Sequence, residues 1–341
     1  MSQKNSSASK KIHKFLLDKL KDKHTNQIYK NFEKELDISS NFVVAVSGGA
    51  DSLALSFLAK IYSIKKSLIV KYYIVDHKLR ENSTLEAKYV QKQLKKFSIN
   101  LKILSWNGRK PKKNIQSIAR DKRYKLLLNE TRKIKIQNIL LGHHLDDLFE
   151  NFFIRILRGS GLKGLVSLDK KIQNENINII RPLLNFNKKD LIYISKYIFS
   201  SYVEDPSNEN DKFKRVKIRK FLKQLEIEGL DRDKFLLTIK NLKFANETIN
   251  FYTKKNLLDN TNFFKKDKSV VLEEFFFHQS TEVVFRSLTE IIKLIGKRYY
   301  PVRGKKIDTI IQLVNDKSSF KVTLGGCVIK KVNRTILVSK E

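Results

Sequence analysis

The sequence predicts an α/β fold, a parallel sheet with helices on both faces, followed by a helical and small β region. Three observations carry this. A valine-rich run, Phe42 to Val46, stops at Ser47-Gly48-Gly49, and then Leu53, Phe57 and Ile61 recur every four residues. That is strand, glycine turn and helix. Short apolar runs and helix-period runs go on alternating as far as about Ile180, the pattern of a parallel sheet. After about Gly229 the alternation gives way to long helical stretches and a tail of short alternating runs.

In chain order, residues 1–40 read as a polar leader with a helix near Ile28 to Leu36. The first strand, glycine turn and helix follow. "SLIVKYYIVD" is the second strand, "TLEAKYVQKQLKKF" a helix and "LKIL" the third strand. "NIQSIARDKRYKLLLNETRK" is a helix and "NILLG" the fourth strand. A helix spans about Leu145 to Leu157. "NINIIRPLL" is a fifth strand, and "NKKDLIYISKYIF" a helix with Asn187 at its cap position. Beyond it, "DKFLLTIKNLKFANETINFYTKKNLL" and "TEVVFRSLTEIIKLIG" are helices. The tail, with turns at Gly325-Gly326 and Asn333-Arg334, is a small antiparallel sheet. The expected domains are therefore a leader at 1–40, a catalytic domain at 41–228 and a C-terminal region at 229–341.

Composition narrows the function. Lys and Arg number 69 against 35 Asp and Glu, a net charge of +34 over 341 residues. Such an excess suits a polyanionic partner, nucleic acid ahead of a membrane. One cysteine, Cys327, rules out a disulfide framework and a cysteine metal cluster, and fits a reducing cytoplasm. No apolar run approaches the roughly 20 residues that cross a bilayer, and the lysine-rich start lacks a secretory apolar core.

The chemistry-bearing residues fall in three groups. Ser47-Gly48-Gly49-Ala50-Asp51-Ser52 opens a helix. Helix N-terminal N–H groups suit phosphate, hydroxyls donate to it, and a carboxylate holds the magnesium that neutralises it. The third glycine of a dinucleotide loop and the Gly-Lys-Ser/Thr of the common nucleotide loop are missing. An ordinary tight strand-to-helix turn shares the outline. The second group, His143, His144, Asp146 and Asp147, follows the fourth strand. Histidines there contact phosphate or shuttle protons, and the acids bind magnesium. A zinc site is the rival, weaker without cysteine. The third is "EDPSNENDKFKRVKIRKFL", a turn and then a run of cations including Arg215 and Arg219.

"SGGADS", "GHHLDD", "RILRGSGLKGL", "RPLL" and "EDPSN" occur in this order. Together, over about residues 41–222, they resemble the tRNA(Ile)-lysidine synthetases of the PP-loop ATP pyrophosphatase superfamily, whose fold is of the adenine nucleotide α-hydrolase kind. The resemblance implies ATP as co-substrate with Mg2+, free L-lysine, and an isoleucine tRNA with a CAU anticodon. ATP would adenylate the wobble cytidine, and lysine would displace AMP to give lysidine, which is read with AUA instead of AUG. By the same resemblance, Asp51, His143, Asp147 and Arg215 are catalytic. Ser47 to Ser52, Asp76, His77, Arg120 and His144 contact the nucleotide, and Asp51, Asp146 and Asp147 hold the metal. Asp205 and Asn208 are candidates for lysine. Where the family has asparagine after the first arginine, this chain has Val216. A tRNA thiolase on the same fold is the nearest rival. A non-catalytic basic RNA-binding protein is the rival from another class. Oligomeric state is not legible, and a membrane role is not expected.

Overall fold

The computed structural model describes residues 11–108, 115–204, 214–264, 266–297 and 302–341. The lysine candidates Asp205 and Asn208 lie outside these residues. The chain forms two compact units, Met1–Leu230 and Asp231–Glu341. Among the described residues, no helix is long and apolar enough to cross a membrane.

The first unit opens with the helical residues 11–18 (α1), a 3-10 turn Lys19–Lys21 and α2 (Lys23–Leu36). Then come β1 (Phe42–Val46), α3 (Ala50–Lys65), β2 (Val70–Asp76), α4 (Ser83–Lys95), β3 (Leu101–Ser105), α5 (Ile115–Lys133), β4 (Asn138–Leu140), α6 (Leu145–Ile156) and the short α7 (Leu162–Leu165). β5 (Lys171–Asn174), β6 (Ile177–Ile180), α8 (Lys188–Phe199) and α9 (Lys214–Ile227) complete it. Strand order is β3-β2-β1-β4-β6-β5. All neighbours are parallel except β5, which forms an antiparallel hairpin with β6. The parallel sheet expected from the alternation is thus mostly parallel. β5 escaped notice because "KIQN" is polar and half exposed, an edge with no apolar run.

Side chains alternate across a strand, so β1 serves two cores. Phe42, Val44 and Val46 join Tyr72, Ile74 and the helices α2, α3, α4 and α8 on one face. Val43 joins Tyr73, Ile139, Ile179 and Leu127 of α5 on the other. The N-terminal helix α2, expected to precede the catalytic domain, is built into its core through Ile28, Tyr29, Phe32 and Leu36. Asn187 holds the cap position of α8 but makes no side-chain cap bond.

The chain runs β1, β2, β3 outward to one side, then returns to lay β4 on β1's other side. The crevice at the carboxyl ends of β1 and β4 is therefore the switch point where such sheets bind ligands.

The second unit begins with α10 (Arg232–Asp259), followed by the hairpin β7 (Thr261–Phe264) and β8 (Ser269–Leu272), α11 (Thr281–Gly296) and α12 (Gly304–Asp316). β9 (Phe320–Leu324), β10 (Cys327–Val332) and β11 (Thr335–Lys340) end it. The five strands are antiparallel, in the order β7-β8-β11-β10-β9. Its core includes Val270, Phe276, Leu288, Ile307, Ile329 and Val338.

Candidate active site

Between β1 and α3 the chain turns at Gly48, whose φ of +90° is a conformation that side chains rarely adopt. A Cβ there would lie 2.8 Å from Val90 Cγ2. Ser52 Oγ organises the turn from inside. It accepts from the backbone N–H groups of Ser47 (3.0 Å) and Gly48 (3.1 Å) and donates to the Gly49 carbonyl (3.0 Å). Its hydroxyl is thus committed to the loop, where a phosphate ligand was expected. Val203 N–H closes the turn from outside by donating to the Gly48 carbonyl at 3.0 Å.

The loop after β4 faces this turn. Gly142 makes the approach close, since a Cβ built there would be 3.4 Å from the backbone of Asp51 and Ser52. His144 caps α6. Its Nδ1 accepts from Asp146 N–H (3.2 Å), and its own N–H donates to Asp147 Oδ2 (3.0 Å). This capping box holds the ring by its Nδ1 side. Nε2 then lies 3.5 Å from Asp51 Oδ2 and 3.6 Å from Asp147 Oδ2, one imidazole between two carboxylates from different elements. Burial opposes charge on His144. The hydrogen bond to Asp51 and the charges of Asp147, Asp51 and Asp146 outweigh it and hold the pKa above the ordinary value.

His143 behaves oppositely. Burial, helped by Arg181, Arg120 and Arg123 and resisted by Asp147, pushes its pKa down to about 3. It is therefore a neutral ring at neutral pH. Burial tends to raise Asp147. His144, its backbone N–H and Arg215 overcome that and keep it ionised.

A cavity at the switch point is lined by Ser47, Asp51, Gly142, His143, Arg123 and Tyr124, among others. Beside it a cleft of about 480 Å³ runs past Asp76, His77, Arg80, Ile115, Arg120 and Arg123. That volume suits a small-molecule ligand. Asp76 lines the cleft, but its carboxylate is tied down. Oδ1 accepts from Lys78 N–H and Ser83 Oγ, and Oδ2 from Thr84 Oγ1. It shapes the wall, and His77 is left to meet a ligand. Arg120 stacks on Tyr124, 5.1 Å from the ring centre.

Three buried polar atoms here have no hydrogen-bond partner: Asp51 Oδ1, His77 Nδ1 and His143 Nδ1. Asp51 Oδ1 is a hard oxygen donor, and magnesium commonly binds one or two carboxylates together with substrate phosphates. These residues fit a magnesium ion carried by a nucleotide, with Asp51 first and Asp147 second. They do not form the expected set of three. Among the described residues, no three His, Cys, Asp or Glu side chains group as a metal cluster. Asp146 and Asp147 are consecutive on a helix and point about 100° apart.

Arg123, Arg181 and the partner of Arg219 carry no local sequence signal. Arg123, one helical turn from Arg120, lines both the cavity and the cleft. Arg181 is buried just after β6 and donates to the Asp169 carbonyl at 2.7 Å. Arg219 of α9 pairs with buried Glu150 of α6, and Phe221 meets Phe153 edge-on at 5.6 Å. That contact brings Arg215 within electrostatic reach of Asp147. Val216, where the family has asparagine, is buried. Of the aromatic runs "FFIRI" and "EEFFFHQ", Phe152 and Phe276 are core and Phe275 is exposed.

A sheet whose switch point holds a serine- and glycine-lined cradle defines a nucleotide-splitting class, and a family model of the PP-loop domain matches residues 19–226. Such a domain uses ATP. The chain is 32% identical over 306 residues to a tRNA(Ile)-lysidine synthase of Orientia tsutsugamushi, covering 87% of this chain and 69% of that protein. It is 32% identical to the one of Wolbachia pipientis wMel, covering 89% and 71%. The chain therefore belongs to the PP-loop family and, within it, to the tRNA(Ile)-lysidine synthases, which are ligases. A U34-tRNA thiolase of Methanococcus maripaludis, solved with its [4Fe-4S] cluster, shares the fold. The TM-score is 0.57 at 17% identity, over 66% of this chain and 79% of that one.

Proposed function

We propose that this chain modifies tRNA by joining free L-lysine to the wobble cytidine of a CAU-anticodon isoleucine tRNA. ATP would be split to AMP and pyrophosphate. The observation that carries this is the meeting of Asp51, His144 and Asp147 across the β1–β4 switch point, beside a serine–glycine turn. The relatives' shared name supplies the substrate class.

The cytidine carbonyl oxygen attacks the α-phosphate and pyrophosphate leaves. The lysine amine then attacks the activated carbon and AMP departs. Negative charge grows on phosphate in the first step, and fixed cations and N–H groups oppose it without reorganising. The Ser47–Gly49 turn and first turn of α3 offer N–H groups, and Arg123, Arg120 and Arg215 offer charge. Magnesium, held by Asp51 and Asp147, would neutralise phosphate oxygens. His143, neutral at pH 7, can donate a hydrogen bond to phosphate. His77 lies where the cleft would meet the adenosine. Much of the remaining acceleration is orientation of base, ATP and amine.

The thiolase reading needs a reactive thiol near the site. The single cysteine, Cys327, belongs to the second unit, is buried, and its Sγ donates to the Ile292 carbonyl. The test is a reaction of chain, ATP, lysine and CAU-anticodon isoleucine tRNA, followed by nucleoside mass analysis. A cytidine heavier by one lysine less one water, with one AMP per product, is the expected result. Sulfur incorporation, or AMP formation unaffected by omitting tRNA, would overturn the reading.

A further inference from the structure

Behind the serine–glycine turn stands α4, and one face of it reaches three parts of the site. Ser83, Glu86 and Ala87 in its first turns line the cleft. Val90, buried, has its Cγ2 2.8 Å from where a Gly48 Cβ would lie, so the helix is packed against the turn. One helical turn further on, Gln93 is 7% exposed. Its Nε2 donates to two backbone carbonyls at the end of α8, Phe199 at 3.1 Å and Ser201 at 2.7 Å. The hydroxyls of Tyr89 and Ser201 add a bond of 2.9 Å. Residues 199–203, held in this way, form a strap. It ends at Val203, whose N–H donates to the Gly48 carbonyl at 3.0 Å and whose Cγ2 lies 3.5 Å from where the Gly48 Cβ would be.

We propose that Gln93 is a positioning residue for the turn, acting through the strap on Gly48, and so sets how tightly the chain holds the pyrophosphate end of ATP. The assignment rests on the reading above of that turn as an ATP site. Both groups that the Gln93 amide faces are acceptors, so only its nitrogen serves there, and a carboxylate would set oxygen against oxygen. Its Oε1 is buried without a partner, so the side chain satisfies its donors on the strap and not its acceptor. The two carbonyls flank Ser200, whose φ of +65° is a conformation that side chains rarely adopt. Gln93 thus pins the peptides on both sides of the bend that sends the chain from α8 to the turn. Gly48 has no side chain to be held by, and its carbonyl is the handle. That carbonyl and the Gly49 N–H belong to one planar trans peptide and point opposite ways. Fixing the carbonyl on Val203 therefore aims the Gly49 N–H away from the strap. Such an N–H at the start of a helix is what a phosphate oxygen meets.

The test uses the full chain and three probes, ATP, AMP and pyrophosphate, each with magnesium, in calorimetric titrations. Gln93→Met keeps the length and loses both donors. It should weaken pyrophosphate and ATP about tenfold, the loss of roughly one charge-assisted hydrogen bond, and change AMP, which lacks the pyrophosphate, less than about twofold. Val203→Pro removes the N–H at the far end of the strap and should do the same. Both act through one contact, so the double variant should be weaker than either single one by less than about twofold, a non-additivity that a merely structural glutamine would not produce. Val203→Pro also tests the strap if Gln93→Met fails to fold. Unchanged pyrophosphate affinity in either folded variant overturns the proposal. So does equal weakening of AMP, and so do losses that simply multiply in the double variant. In each of those cases the wild type still binds ATP. A wild type that binds neither ATP nor pyrophosphate overturns the nucleotide reading itself, and the role of Gln93 with it.

Discussion

Both units bury polar groups, and they treat them differently. In the second unit the seam between α10 and α11 satisfies most of its own demand. Arg286 gives Nε to Glu282 and Nη1 to Asn246 and Asn250, and Asn256 gives its amide to the Phe276 carbonyl and Ser287 Oγ. In the first unit, the β1–β4 crevice and the cleft beside it leave Asp51 Oδ1, His77 Nδ1 and His143 Nδ1 without partners. An orphaned buried polar atom costs about 1–3 kcal/mol. One region therefore uses buried polarity to hold itself together, while the other keeps it unsatisfied where a ligand would complete it.

The sharpest way to break that comparison is Asp147→Asn. The amide keeps shape and loses charge, so AMP formation should fall at least about a thousandfold, with the circular dichroism spectrum unchanged. Undiminished AMP formation would remove Asp147 from the chemistry. Arg286→Met should do the reverse. It strands Asn246 and Asn250 and should cost about 3 kcal/mol of stability, read by urea titration, with ATP binding retained. Loss of ATP binding in a folded variant would show that the seam is not purely structural.

Between these lies His143, whose pKa is lowered to about 3. Its folded form resists protonation, so the unfolded chain binds the proton first as pH falls below about 6.5. Stability should drop by about 2 kcal/mol between pH 7 and pH 5 through this group alone. The raised pKa of His144 works in the other direction, so the wild-type curve shows only the balance. The difference curve between wild type and His143→Gln isolates His143, and a flat difference would contradict its burial as a neutral ring. The smallest effect is expected from Cys327→Ser. The hydroxyl can still donate to the Ile292 carbonyl, and turnover should change less than about twofold.

How much of this the sequence carried depends on distance along the chain. The β1 turn and the start of α6 were legible because each packs its chemistry into about six consecutive residues at a break in hydrophobic period. Asp51, His144 and Asp147 came from those breaks. Arg123 was hidden because α5 has cations around much of its surface, so no face stood out. The pairing of Glu150 with Arg219 joins positions 69 residues apart, and nothing local announces it. Asp76 was correctly seen at a strand end, but its three hydrogen bonds from residues 78, 83 and 84 depend on how the next loop folds back. In the second unit, the β7–β8 hairpin was missed because "TNFF" is short and exposed. The helix α12 was missed because it follows a glycine within a run of lysines.

Gly142 has one more implication, and it concerns inheritance. The residue contributes no side-chain atom to any reaction, and its φ is not in the left-handed region. One methyl there would just touch the backbone of Asp51 and Ser52 at 3.4 Å, and anything larger would meet backbone, which cannot swing aside as a side chain can. The separation of Asp51 from the α6 carboxylates is therefore set by an empty volume. In a library of all single substitutions selected for activity, position 142 should admit alanine and little that is larger. Compensating changes for larger residues should arise in the first turn of α3, the wall such a side chain would meet.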